Sequence, residues 1–552
     1  MPKDSIAVEP LHGWAPPRGN QSKVALEWLH WLQRDHPSLL HADHEGEQTI
    51  TVGRCTYQVD GYDPVENCIY EFHGCFWHGC TTCFPNRTQR HAKLDNATSH
   101  EVRERTSRRV QAFRDMGYLV VEQWECKWTS QKKADPDLRA FVKKLEYTTP
   151  LDPRDAFYGG RTETTRLLRE TIGDEQIQYD DFTSLYPSCN KYCRYPLGHP
   201  EITRNPDTLT EQARVALLHR TFGLMKCKML PPRQLYLPVL PTRTHGKLIF
   251  ALCRTCVQTE MAKPFRERSF RCHHTDEERS FVGTWCTPEL EEALQLGYRL
   301  LHIYEVWHFA ESSDQLFQEY VDTFLKLKQE ASGWPADVGD NETQRQAYLA
   351  EYLSHEGIQL EYSKIIKNPG MRSTSKAALN SFWGKFGQQP NKTQVTTCKT
   401  PKEFFQLFLD DAQDIHRIEF AGTEMVDVYH SHTPETVPVQ TNTNIFIAAF
   451  TTCWARLKLY RECLQPLQER ILYMDTDSVI YVCSQSHQEP PLPRGNYLGD
   501  LTSELEEDDW IEDFVSGGPK NYAYGTRKGK LVSKARGFNK SLRTTEVVNL
   551  TP

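Results

Sequence analysis

In SKVALEWLHWLQRD, near residues 21–34, apolar positions return with a helical period, and the spacing predicts an amphipathic helix. Short strand-like runs follow to about residue 73. A charged helix is expected near 99–116 and an apolar strand over YLVVEQW, 118–124. The polar, Pro-containing segment YTTPLDPRD, 147–155, has the composition of an interdomain connection. Beyond it the pattern predicts a strand running into QYDDFTSLYPS and helices around 314–330 and 341–355. Two further helices are expected through STSKAALNSFWGKFG and IFIAAFTTCWARLKLYREC, then an apolar hairpin, ILYMDTDSVIYV. The class is mixed α/β (α+β). The expected domains are 1–146, then 147–515 with a Cys-rich insertion at about 245–290, then 516–552.

At 552 residues, with 38% hydrophobic and 25% charged residues, the chain is a globular protein of several domains, not a filament or a disordered tail. No stretch approaches 18 apolar residues, and MPKDSIAVEP has no secretory core. A soluble, unexported protein of the nucleus or cytoplasm, with no membrane partner, is expected. In such a chain the 17 cysteines read as thiols or metal ligands, not disulfides. The net charge of −8 gives no overall basic bias, yet Lys528, Lys530, Lys534, Arg536, Lys540 and Arg543 crowd the C-terminal end after the acidic run SELEEDDWIED.

Three acidic or basic elements carry the chemistry of the second half. In ILYMDTDSVIYV, strand alternation is expected to place Asp475 and Asp477 on one face, a like-charge pair that invites a divalent cation. In DDFTSLYPS, Asp180 and Asp181 end an apolar strand, where a carboxylate could complete a two-metal cage. In KAALNSFWGKFG, Lys376, Asn380 and Trp383 share one helix face suited to holding a nucleotide.

In order and sequence these elements resemble motifs A, B and C of family-B DNA polymerases: DxxSLYPS at Asp181–Ser188, KxxxNSxYG at Lys376–Gly384 and YxDTDS at Tyr473–Ser478. The protein-primed branch, which includes polymerases of phages, linear plasmids and Polinton/Maverick-type transposons, fits best. FYGG at Phe157–Gly160, TCWAR at Thr452–Arg456 and KNY at Lys520–Tyr522 resemble its YxGG, TxxAR and KxY motifs. The likeness spans roughly residues 150–540 and implies a palm, fingers and truncated thumb. It implies a nucleotidyltransferase joining dNTPs to a primer 3′-hydroxyl on template DNA with two Mg²⁺ ions, and a terminal priming protein as a further partner. By the same likeness Asp181 and Asp477 bind both metals, Asp475 is the additional carboxylate, and Tyr186 selects dNTPs. Lys364 and Lys376 contact the triphosphate, Asn380 supports the base pair, and Phe157, Gly159, Gly160 and Arg456 serve the template. Lys520 and Tyr522 hold the primer end.

The sequence also departs from the family. Trp383 stands at the motif B Tyr, no Asp-x-Glu exonuclease set precedes motif A, and the 14 residues after Phe538 are too few for a whole thumb. The rival expectations are an inactive, DNA-binding derivative or fragment, and a nuclease whose polymerase half only holds DNA.

In the first 150 residues, Asp60, Glu71 and His73 have the spacing of a PD-(D/E)xK nuclease core with His for Lys. HGCFWHGC and the later WEC resemble the Vsr-type mismatch endonucleases. That likeness implies active-site roles for Asp60, His73 and His78, with Glu27 as a further candidate, and zinc on Cys75, Cys80, Cys83 and Cys126. A second zinc set is read from the CxxC and CxH spacing of Cys253, Cys256, Cys272 and His274, with His273 and Cys286 as substitutes.

Overall fold

In the computed structural model the described residues are 7, 22–42, 48–53, 55–88, 97–144, 151–206, 210–260, 263, 267, 271–336, 338–389, 391–410, 412–422, 424–432 and 443–536. The chain divides into two compact units, one of Pro10–Thr149 and one of Pro150–Pro552 with Met1–Glu9. The sequence-expected boundary at 146/147 and the residues after Arg536, including Lys540 and Arg543, lie outside the described residues. Ala7 belongs to the larger unit, where its carbonyl accepts from Asn444 Nδ2 at 2.7 Å.

The smaller unit is built on a four-stranded sheet in the order Leu40–His41, Gly61–Asp63, Cys68–His73, Leu119–Trp124. The first three strands are antiparallel, and the helix Ser99–Asp115 carries the chain over to a fourth that runs parallel to the third, Cys68 opposite Leu119. A parallel pair needs such a crossover, which covers one face of the sheet while the helix Lys23–Gln33 covers the other. Hence all six residues of Cys68–His73 are buried. Cys68, Tyr70 and Phe72 pack on Trp28 and Leu29 of the helix Lys23–Gln33, while Ile69 packs on Phe113 of the crossover helix. Glu71 and His73, two and four positions beyond Ile69, share its face.

The larger unit centres on a nine-stranded sheet. Its path runs Leu531–Ala535, Asn521–Thr526, Ile511–Gly518, Glu175–Phe182, Ser478–Ser484, Ile471–Asp475, Thr162–Thr164, with Leu501–Ser503 and Leu168–Glu170 paired off it. Ile177, Leu472, Ile480, Ile511 and Phe514 form the core of one face. The helix Ile445–Leu459, mostly apolar and almost wholly buried, packs on the helices Leu185–Tyr192, Thr287–Gln295 and Pro369–Phe386. It continues as a π-helical turn, Tyr460–Leu464, and a last turn, Gln465–Leu467, that ends at Gln468 with a left-handed φ of 49°. Residue 516 falls inside the strand Ile511–Gly518, and two further strands extend the same sheet. The expected domain boundary there is therefore corrected: residues 516–536 belong to the sheet because their backbone groups complete its ladder. Among the described residues no helix is long and apolar enough to cross a membrane.

Candidate active site

Asp181 lies opposite Ser478 in the antiparallel pair Glu175–Phe182/Ser478–Ser484, and Phe182 N–H donates to the Asp477 carbonyl at 2.7 Å. Two acids far apart in sequence thus become neighbours. Alternation along the strand sends Asp180 the other way, into the core, where it accepts from Tyr481 Oη at 2.6 Å and pairs with Arg494 at 2.7 Å. The expected alternation of Asp475 and Asp477 along one strand is corrected, because the chain turns between them. Asp475 ends one strand, Thr476 has a left-handed φ of 63°, and Asp477 N–H donates to the Asp475 carbonyl at 2.7 Å, which closes a γ-turn. A β-branched residue rarely holds this φ. Here Thr476 N–H bonds the Arg161 carbonyl at 2.7 Å, and the Thr476 side chain fills the space where a Cβ on Gly160 would lie, 2.6 Å from Cγ2.

Negative charge accumulates at this turn. Burial, then Asp477 and Glu504, push the Asp181 carboxyl up to about 7, with Lys376 alone opposing. Burial also raises Asp477, with Asp475 and Glu504 adding to it and Lys520 opposing. Asp475 is already partnered: Lys520 Nζ donates to both its oxygens at 2.8 and 2.9 Å and Thr162 Oγ1 donates at 2.8 Å. Among the described residues the three carboxylates do not form a group with all ligand atoms within 4.8 Å, as the cysteine clusters do. Glu504, which follows the strand Leu501–Ser503, carries no motif and reads in sequence only as part of an acidic run.

Positive charge gathers beside it. The helices Gln318–Glu330 and Pro369–Phe386 pack together, and burial, then Arg372 and Lys376, hold Lys328 below the usual lysine value. Lys364 is exposed and pairs with Glu361 at 2.7 Å, and Glu361 also accepts from Lys326 of the helix Gln318–Glu330 at 2.9 Å. Lys376 and Asn380 are exposed on the face that also carries Trp383, whose ring lies 4.3 Å from that of Tyr186 at an inclination of 32°. The arrangement brings a flat aromatic pair, a cation cluster and an acid cluster to one region.

The family model for DNA polymerase type B, organellar and viral, matches residues 152–348 and 357–468, more than half of the chain. The chain belongs to this family. The matched segments include Asp181, Lys328 and Lys376 and end before Asp475. Among solved structures, the orthorhombic form of Phi29 DNA polymerase is similar at 14% identity and a TM-score of 0.45, over 71% of this chain and 56% of that one. The primer-template complex of Phi29 DNA polymerase is similar at 15% identity and a TM-score of 0.44, over 76% and 61%. This chain thus spans less than two thirds of those proteins. No curated protein matches it.

The residues expected at DNA fall into two groups. Phe157, Gly159 and Gly160 lie on a loop at the edge of the site, with Phe157 against Trp383 at 6.5 Å between rings. Arg456 is 4% exposed, pairs with the buried Glu289 at 2.8 Å, and donates to the Tyr158 and Gly159 carbonyls at 2.8 and 3.0 Å. It therefore acts on the loop. Tyr522 packs in the sheet core, with its hydroxyl 3.1 Å from that of Tyr179, beside the Lys520–Asp475 pair.

In the smaller unit, Asp60 accepts the Phe72 N–H at 2.7 Å. Burial pushes Glu71 up to about 7 against the opposing Arg109 at 2.8 Å. His73 and His78 lie 4.9 Å apart, and burial lowers both to about 4, so both rings are neutral near pH 7. His73 is fully buried and bonded through Nε2 to Glu122 at 3.2 Å, and among the described residues its Nδ1 has no hydrogen-bond partner. Arg109 and Glu122 stand apart from the motif and are brought in by the crossover helix and the parallel strand. Glu27 is engaged by Lys132. Cys75, Cys80, Cys83 and Cys126 form one cluster of close ligand atoms, and Cys253, Cys256, Cys272 and His274 another.

Proposed function

We propose that this chain is a DNA-directed DNA polymerase. The observation that carries the reading is the convergence of Asp181 and Asp477, with Asp181 held up to about 7, beside the cations Lys328, Arg372 and Lys376. In the reaction the primer 3′-oxygen bonds the α-phosphorus of a dNTP, the bond to the β-phosphate oxygen breaks, pyrophosphate leaves, and the hydroxyl proton passes to solvent. The excess of carboxylate oxygen at Asp181 and Asp477 suits a hard cation, so these residues would hold the two Mg²⁺ ions. Those ions, when bound, supply activation of the 3′-oxygen and neutralisation of the phosphates. The chain's own groups do the rest. Lys328, Arg372 and Lys376 would bind the triphosphate, and Tyr186, backed by Trp383, would lie against the sugar and exclude a 2′-hydroxyl. Asn380 would support the base pair, the Phe157–Gly160 loop would meet the template, and Lys520 would steer the primer end once released from Asp475. Primer-template DNA and dNTPs are the substrates, and a terminal priming protein would join the priming step.

Primer extension with the purified chain and Mg²⁺ tests this. Incorporation that Asp477→Asn abolishes, with DNA affinity unchanged, is the expected result. DNA binding with no incorporation by the wild-type chain would refute it and favour the inactive derivative.

A second reading, cleavage by the smaller unit, is supported by its strand order and by Asp60 beside Glu71, as in PD-(D/E)xK nucleases. The neutral, buried His73 favours DNA holding over cleavage. Template cleavage without dNTPs, lost in Asp60→Ala, would reverse that preference. Cys75, Cys80, Cys83 and Cys126 would hold a structural zinc in this unit.

A further inference from the structure

The cysteine-rich insertion of the larger unit lies between the strands Gly223–Leu230 and Phe281–Cys286. It contains the hairpin Pro241–Thr244/Lys247–Phe250, the helix Arg254–Glu260 and the short helix Asp276–Arg279. Three sulfurs surround a single imidazole nitrogen: Cys253, Cys256 and Cys272 Sγ lie 3.4, 3.3 and 3.6 Å from His274 Nδ1. One ring nitrogen has one proton or one lone pair, directed along one line, and cannot bond three thiols at once. A tetrahedral ion explains the set. Zinc–sulfur bonds of about 2.3 Å and zinc–nitrogen bonds of about 2.0–2.1 Å place ligand S and N about 3.5 Å apart at the tetrahedral angle. Cys256 N–H also points at Cys253 Sγ, at 3.4 Å, a donor that stabilises a thiolate. The six candidates in sequence reduce to four, because Cys286 lies in the strand Phe281–Cys286 beside Glu289 and Cys453, and the cluster takes His274, not His273.

We propose that Cys253, Cys256, Cys272 and His274 bind one structural zinc ion, His274 through Nδ1, that braces the insertion against the loop of Phe157–Gly160. With three thiolates and an imidazole the coordination shell is closed, which is the form of structural sites. The brace runs through packed groups. His274 and Asp276 are held by Arg233 at 3.1 and 3.0 Å, and the buried Arg279 donates to the Pro231 and Pro232 carbonyls at 2.9 and 3.0 Å. On the other side, Phe250, three residues before Cys253, lies under the Arg161 guanidinium at 4.2 Å, and the Arg161 carbonyl accepts from Thr476 of the acidic turn.

The site is tested in the full chain carrying Cys75→Ser and Cys80→Ser, which removes the smaller unit's cluster. Elemental analysis is expected to find one zinc per chain, lost on adding His274→Ala and kept on adding His273→Ala or Cys286→Ala. No zinc, or loss with His273→Ala in place of His274→Ala, overturns the assignment. The wild-type chain gives an independent measurement. Cys272 is exposed, so unligated it would react at once with iodoacetamide. Peptide mass mapping is expected to show it protected until a chelator is added, and immediate labelling would overturn the proposal. For the brace, primer-template affinity is expected to fall at least tenfold with His274→Ala in that background, and unchanged affinity would refute it. Metal content does not depend on nucleotide incorporation, so failure of the zinc assignment and failure of the polymerase reading are distinguishable.

Discussion

Asp181→Asn removes a charge that the fold holds unfavourably. Burial, Asp477 and Glu504 carry the Asp181 carboxyl from its ordinary 3.8 to about 7. A rise of that size corresponds to about 4 kcal/mol. Water reaches part of the carboxylate and screens it, so about 2 kcal/mol is the working figure. The folded chain holds this proton more tightly than the unfolded chain, so ionisation favours unfolding. The penalty is absent below about pH 4, grows from about pH 4 to about pH 7, and is complete above that. Asn is neutral throughout and escapes it. In EDTA near pH 8, Asp181→Asn is therefore expected to melt a few degrees above wild type, with the gap narrowing toward pH 5. Mg²⁺ near pH 8 is expected to raise the wild-type melting temperature and leave the variant almost unmoved. Scanning calorimetry at several pH values measures all of this. Equal melting temperatures near pH 8, or a gap that does not narrow on acidification, would refute the account of Asp181 as an uncompensated charge.

Gly160→Ala would press a Cβ to 2.6 Å from Thr476 Cγ2 and displace the acidic turn. The expected loss is about a hundredfold in incorporation with folding retained, read by primer extension and circular dichroism. Lys328→Ala removes a cation facing Arg372 and Lys376 and is expected to raise KM for dNTPs about tenfold. Arg456→Met strands Glu289, which is fully buried, and is expected to cost about 3–5 kcal/mol in urea unfolding. Tyr186→Val opens the space beside the sugar and is expected to reduce discrimination against ribonucleotides at least about tenfold, measured as a ratio of kcat/KM values.

What was legible in the sequence follows from how local each feature is. The strand before Asp181 and the hairpin around Asp477 announce themselves by apolar residues on either side of acids, and the helix bearing Lys376 by its period. The turn between Asp475 and Asp477 is not legible in that way, because a left-handed Thr476 depends on the Arg161 carbonyl and on Gly160, which come from far upstream. That Lys328 meets Lys376 is decided by the pairing of the helices Gln318–Glu330 and Pro369–Phe386, a tertiary choice. Arg456 is recognisable by its motif, yet its burial depends on Glu289, 167 residues away, and converts an expected DNA contact into a loop support.

That support has a directional consequence. Every peptide in the described chain is trans, so each carbonyl points opposite to the N–H of the same peptide. Arg456 draws the Tyr158 and Gly159 carbonyls inward, and Arg243 draws those of Asp155 and Phe157. The N–H groups of Gly159 and Gly160 are thereby turned away from the arginines, and Gly159 is exposed with open space where a Cβ would lie. Two adjacent N–H groups turned away from the arginines, on glycines without side chains of their own, suit a phosphate oxygen. Glycine is needed at Gly160 for the fit of Thr476 and at Gly159 for close approach of the backbone. Gly159→Ala should therefore weaken template binding without disturbing the acidic turn, whereas Gly160→Ala should do the reverse. The separation of the two effects, in affinity and in turnover, is what the direction of these peptides requires.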